Sequence, residues 1–238
     1  MKKRFVIFLS IVLLWSCSDN NPTNNNVINP PFENDSECLA QHFYYNTSID
    51  DKYFFDTLLL TNKIFIGFEK TTPHSEIVKF INKNSIFEEI DESKIIFHSY
   101  EYFENDHKLL IAKVKNDKTC SELYEIMSSL KTNPIVAFAS YTYQSGLWFG
   151  GVYYDVMSYN DLFLVKVFDY NDLTDLNEVV KQTNTFIKEQ NEYMPDWFLI
   201  GVTKDSKYDN ALKMAQYFFE TGKFAHSYVG FVDFIDKD

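Results

Sequence analysis

Apolar residues recur along this chain with the two periods that mark helices and strands, and the whole series occurs twice. Ile77, Phe80 and Ile81 stand at i, i+3 and i+4, and Leu176, Val179 and Val180 repeat that stripe 99 positions later. Leu123, Ile126, Met127 and Leu130 form a second stripe, answered 89 positions on by Leu212, Ala215 and Phe219. A stripe of this kind gives a helix one face to bury and one to leave in water. Between the stripes lie short runs of Ile, Val, Phe and Tyr, residue types that fit the pleated surface of a sheet. The pattern predicts a strand at 64–68, a helix at 74–83, strands at 94–100 and 109–114, a helix at 119–130 and a strand at 135–141. The same series is predicted again at 163–167, 174–183, 186–192, 197–202, 209–220 and 225–234. Thr119 and Asp209 are the expected helix caps, and Gly222 the expected helix stop.

Two copies of strand, helix, strand, strand, helix, strand imply an α+β fold. The expected architecture is a tandem of ferredoxin-like repeats, antiparallel sheets with helices on one face. The offset drops from 99 to 89 between the first helix and the third strand, so the first copy carries ten extra residues there.

The N-terminus has a different character. Lys2, Lys3 and Arg4 precede an apolar run from Phe5 to Trp15, broken only by Ser10, and Ser16 offers a small residue for cleavage. These are the marks of a secretory signal, and the run is too short to span a bilayer. Leu14-Trp15-Ser16-Cys17 resembles the bacterial lipobox, which implies cleavage before Cys17 and diacylglycerol on its thiol. An anchor of two or more acyl chains is stable. The expected partner of Cys17 is therefore the lipid bilayer of a bacterial cell envelope, with the outer membrane the expected site. The polar stretch at 18–31, rich in Asn, Asp, Pro and Thr, reads as a flexible tether. The expected organisation is a signal at 1–16, the lipidated Cys and tether at 17–40, an arm with the first repeat at 41–146, and an aromatic connection with the second repeat at 147–238.

Charge and chemistry narrow the function classes. The chain has 22 Lys and Arg against 34 Asp and Glu, and loss of Lys2, Lys3 and Arg4 with the signal takes the formal charge from −12 to −15. Arg4 is the sole arginine. An acidic domain without Arg is poorly equipped to hold phosphate, so no nucleic-acid partner is expected. His42, His74, His98, His107 and His226 are scattered, with no His-x-His, His-Glu-x-x-His or Cys-x-x-Cys spacing, so no metal or other cofactor is expected. Glu88, Glu89, Asp91 and Glu92 read as a solvated acidic face rather than a catalytic pair. No catalytic residue is assigned. Cys38 and Cys120 remain after lipidation, and in an oxidising compartment they either pair as a disulfide or stay as two buried thiols.

Aromatic residues crowd the connection between the repeats. Trp148, Phe149, Tyr153 and Tyr154 lie among Tyr141, Tyr143, Tyr159 and Phe163, with Gly146, Gly150 and Gly151 interspersed. Such rings either pack the seam between two repeats or present flat faces to a sugar or peptide. Packing is the favoured reading, because a seam needs apolar surface.

The C-terminal part carries a resemblance. Gln190-Asn191-Glu192-Tyr193-Met194-Pro195, Trp197, Asn210-Ala211-Leu212-Lys213-Met214-Ala215, Phe218 and Glu220-Thr221-Gly222-Lys223-Phe224-Ala225 resemble the N-terminal, prodomain-like regions of secreted bacterial subtilisin-type serine peptidases. The family triad motifs are absent: Asp56-Thr57 is followed by Leu58, no His precedes Gly, and there is no Gly-Thr-Ser. What the resemblance implies is a stand-alone, non-catalytic module. Subtilisin prodomains commonly lay a ferredoxin-like sheet on the peptidase, assist its folding and inhibit it with a C-terminal extension. Phe231 and Phe234 would belong to that extension, which runs to Asp238. The leading expectation is an envelope lipoprotein that binds a protein or peptide partner, with a peptidase inhibitor or folding chaperone and a glycan-binding module as alternatives.

Overall fold

The computed structural model describes residues 34–91, 93, 107–149 and 152–234. The leader, Cys17, the tether up to residue 33 and the strand expected at 94–100 lie outside the described residues. Within them the protein is mixed α+β with antiparallel sheets.

An arm comes first. Asn34 caps the short helix α1 (Asp35–Leu39) by accepting the Glu37 N–H at 2.9 Å. β1 (Phe43–Tyr45) and β2 (Lys52–Phe54) then pair as a small hairpin, with Tyr44 opposite Tyr53. The first large sheet is built from β3 (Leu59–Glu69), β4 (His107–Lys113), β5 (Val136–Phe149) and β6 (Val152–Ser158), with β11 (Val232–Phe234) arriving from the far end of the chain. Its order is β11-β6-β5-β3-β4. α2 (His74–Lys83) follows β3, and α3 (Cys120–Leu130) follows β4. The second sheet contains β7 (Leu162–Lys166), β8 (Phe186–Gln190), β9 (Trp197–Gly201) and β10 (His226–Val229), in the order β10-β7-β9-β8. α4 (Thr174–Thr183) and α5 (Ala211–Glu220) connect them.

Local chemistry sets most helix ends. Thr119 and Glu122 form a reciprocal capping box at α3, satisfying two N–H groups that the helix itself leaves unpaired. Asn184 at φ 53° follows the last residue of α4, and Gly222 at φ 69° follows the C-cap of α5; left-handed backbone of this kind favours Asn or Gly. Asp209 is not the cap of α5. Asn210 takes that role by accepting the Lys213 N–H at 3.2 Å, while Asp209 pairs with Lys131 at 2.5 Å.

Two strands depart from the sequence pattern. β5 continues through the expected connection to Phe149, so the boundary expected between 146 and 147 falls inside a strand. Gly146, at φ 82°, sits in the register shift between Gln144 and Leu147 that lets the long strand keep pairing with β6. The strand expected at 225–234 is two strands. β10 pairs with β7 in the second sheet, and β11 pairs with β6 in the first. Between them Phe231 drops among Phe55, Tyr143 and Tyr159, with ring centroids 5.1, 6.0 and 5.8 Å away. Filling that space with an aromatic ring outweighs keeping one straight strand.

The core is continuous between the two large sheets. Ile77 and Ile81 of α2, Leu123 and Met127 of α3, Leu176 and Val179 of α4, and Met214 and Phe218 of α5 belong to one cluster with Ile64, Ile66, Phe163 and Val165 of the strands. Phe65, Leu109, Phe138 and Phe234 form a separate small cluster. Phe65 and Phe163 are each fully buried, yet they serve different clusters.

Candidate functional site

Strand alternation gives the second sheet two faces. Phe163, Val165, Phe198, Ile200 and Val229 are buried in the common core with the helices. Their neighbours along each strand therefore point the other way. The registers align Trp197, Lys166 and His226 in one row and Leu199, Leu164 and Tyr228 in the next. Trp197 meets His226 and Tyr228 edge-on, at centroid distances of 6.0 and 5.6 Å. Lys166 Nζ stands 5.7 Å from the Trp197 ring and 3.3 Å from Asp196. Phe186 extends the surface at the β8 edge, and its ring lies over Gly201, where a Cβ would collide with it. Trp197, Leu164, His226 and Tyr228 are only half-buried, and Phe186 is exposed. Burial and the Lys166 charge both lower the His226 pKa, which favours the neutral ring.

Two loops meet at one end of this face. The Val167 N–H donates to the Asp196 carbonyl at 2.9 Å, which ties the β7–α4 loop to the β8–β9 loop. Phe168 and Tyr193 on these loops are 72% and 91% exposed, with Tyr170 and Met194 about half exposed beside them. The second sheet thus has an apolar, partly open face with an exposed aromatic rim.

The aromatic residues of the expected connection divide. Tyr141, Tyr143, Tyr159 and Phe163 are buried and pack the seam. Tyr154 is half-buried, and Leu147 opposite it is exposed. Trp148, Phe149 and Tyr153 lie in the paired ends of β5 and β6, whose backbone register sets Trp148 opposite Tyr153 and Phe149 opposite Val152. Phe231 fills the seam, and Phe234 is buried beside Phe65 with centroids 5.0 Å apart. The fold thus uses both of these residues internally and does not leave them free to enter a peptidase cleft.

A polar cluster lies behind the seam. Cys38 of α1 and Cys120 of α3 are joined by a disulfide, with Cα atoms 5.9 Å apart. His42 Nε2 is 3.3 Å from Cys120 Sγ, and its Nδ1 is 3.0 Å from Tyr143 Oη. Tyr141 Oη lies 3.4 Å from Cys38 Sγ. All of these side chains are buried. Burial depresses the His42 pKa from 6.5 to about 4, against a weaker opposing pull from Asp56 and Asp35, and the same burial raises both tyrosines. Sequence spacing holds one signal for this cluster, since His42 stands four residues after Cys38. The other half, 78 residues from His42 at Cys120, comes from the fold.

Glu88, Glu89 and Asp91 are exposed, His74 is exposed on α2, and His107 pairs with Asp161 at 3.0 Å. A shallow groove beside α2 is lined by Pro73, Ser75, Glu76, Lys79, Phe80, Lys83, Asn133 and Ile135. Among the described residues no helix is long and apolar enough to cross a membrane. No protein-family model, curated protein or solved structure matches the chain.

Proposed function

We propose that this chain is a non-catalytic lipoprotein of a bacterial cell envelope, held to the bilayer through acylated Cys17, and that it binds a protein partner on the outer face of its second sheet. The observation that carries the reading is the composition of that face. Trp197, Leu164, Tyr228 and Phe186 occupy positions where a sheet facing only water would carry polar side chains. The strand order β10-β7-β9-β8, with α4 and α5 as crossovers, supports a ferredoxin-like unit, and β5-β3-β4 with α2 and α3 supports a second one within the described residues. The buried disulfide is consistent with an oxidising compartment.

Site-specific photocrosslinking in the producing cell tests the surface. A crosslinker at Trp197 or Tyr228 should give a discrete protein adduct, and one at Lys181 on the opposite, helical side should not. Equal labelling at all three positions, or none at the sheet, sinks the reading. The anchor is tested separately: labelled palmitate should enter the wild-type chain and not Cys17→Ser.

A subtilisin-type peptidase is the partner class favoured by the exposure of Tyr193 and Met194 within the prodomain-like segment. The full chain should then slow such a peptidase, and Trp197→Ala with Tyr193→Ala should weaken binding at least tenfold, about 1.4 kcal/mol. Unchanged turnover in the presence of excess chain removes this partner class while leaving the crosslinking result to stand on its own.

A further inference from the structure

The Cys38–Cys120 bond sits beside an imidazole that a disulfide does not need. His42 is 2% exposed, and its Nε2 points at Cys120 Sγ from 3.3 Å. Nitrogen and sulfur ligands on one tetrahedral zinc stand about 3.5 Å apart, given metal–ligand distances of about 2.3 and 2.0 Å. Tyr141 Oη lies 3.4 Å from one sulfur and 3.9 Å from the other, on the same scale. The far side of the imidazole is anchored as well, because Nδ1 is 3.0 Å from Tyr143 Oη. A hydroxyl both donates and accepts, so Tyr143 Oη can accept a hydrogen bond from Nδ1–H and leave Nε2 free for a metal, the role that outer-shell acceptors play for metal-bound histidines.

We propose that in the dithiol state Cys38, His42 and Cys120 form a zinc site, with the fourth position facing the Tyr141 hydroxyl. The disulfide and the metal are then alternative latches for the same arm. Reduction requires an external dithiol: it gives two electrons and two protons to the S–S bond, leaves Cys38 and Cys120 as thiols, and itself becomes a disulfide. Zinc binding displaces the two thiol protons to solvent. Two thiolates neutralise the divalent charge, which suits a site with little access to water. Entry is through α1. This helix has five residues, too few for an isolated helix to be stable, so it is the piece that lifts to admit reductant and metal.

The test uses the purified full chain, reduced with a phosphine and kept free of oxygen, titrated with cobalt(II) as a spectroscopic stand-in for zinc. One cobalt per chain should bind with the visible bands of a tetrahedral thiolate site, and the unreduced chain should show none. His42→Gln should lower the affinity at least tenfold, and Tyr143→Phe, acting through His42 as a positioning residue, should lower it about tenfold. Zinc should raise the melting temperature of the reduced chain and leave that of the oxidised chain unchanged. If the reduced chain unfolds, zinc should restore its native circular dichroism. If His42→Gln does not fold, zinc-edge absorption on the reduced wild type should count two sulfurs and an imidazole. The proposal is overturned by a reduced chain that takes up no metal, by zinc that fails to restore an unfolded one, by a site without imidazole, or by a folded His42→Gln variant that binds as tightly as wild type.

Discussion

His42 makes the fold sensitive to acid. Its ring is neutral in the native state because burial holds its pKa near 4, whereas in the unfolded chain it titrates near 6.5. The unfolded state therefore binds a proton that the native state refuses throughout that interval. The contribution to stability is complete above about pH 6.5 and is lost as pH falls to 4, by about 3 kcal/mol in all. Urea midpoints measured across this range should drop more steeply for wild type than for His42→Gln, and parallel curves would refute the assignment. Gly67 is a second residue with a defined cost. It lies mid-strand opposite Phe138, whose ring covers it so closely that an added Cβ would collide with the ring edge. Gly67→Ala should destabilise by about 1–3 kcal/mol, as overpacking does, and Phe138→Leu in the same chain should recover part of the loss. An additive double variant in denaturant titrations would show that the two residues do not meet.

Elements were legible where one helix face or one strand carried its own signal. The helices at 74–83 and 174–183 follow from their apolar stripes alone, and the observed bounds agree. The split of the last strand was not legible. Tyr228 and Val229 before Gly230, and Phe231, Val232 and Phe234 after it, are all apolar, and this pattern does not record that the pairing partner changes from β7 to β6. The apolar outer face of the second sheet was hidden for a related reason, because which of Trp197 and Phe198 points outward depends on where the helices dock. Two predictions belong at this level. Phe234→Ala should cost about 3 kcal/mol, since it empties the cluster that β11 closes over Phe65. Removing the disulfide by Cys38→Ser and Cys120→Ser should cost about 4 kcal/mol in metal-free buffer, because the bond closes a loop across 82 positions of sequence. Guanidinium unfolding measures both, and a loss below 1 kcal/mol in either would show that the element is not held as described.

At the scale of the molecule the arm joins the two large sheets. Its α1 is bonded to α3, which follows β4 of the first sheet. Gln216 of α5, which precedes β10 of the second sheet, donates to the carbonyls of Gln41 and Phe43 at 3.0 and 2.8 Å, and Tyr45 stacks on Phe219 at 4.7 Å. With Phe55, Tyr143, Tyr159 and Phe231 closing one seam, the two sheets share a core rather than a linker. Calorimetry of the oxidised protein should show one unfolding transition, and two resolved peaks would contradict a shared core.

The strand β11 has a further consequence for how such a chain comes into being. The sheet that begins at Leu59 borrows its outermost strand from residues 232–234, so it cannot be finished before those residues have been synthesised and released. Contacts this distant in sequence form late and slowly. In a chain arranged in this way the first sheet keeps an open edge at β6 until nearly all of the polypeptide is available to pair.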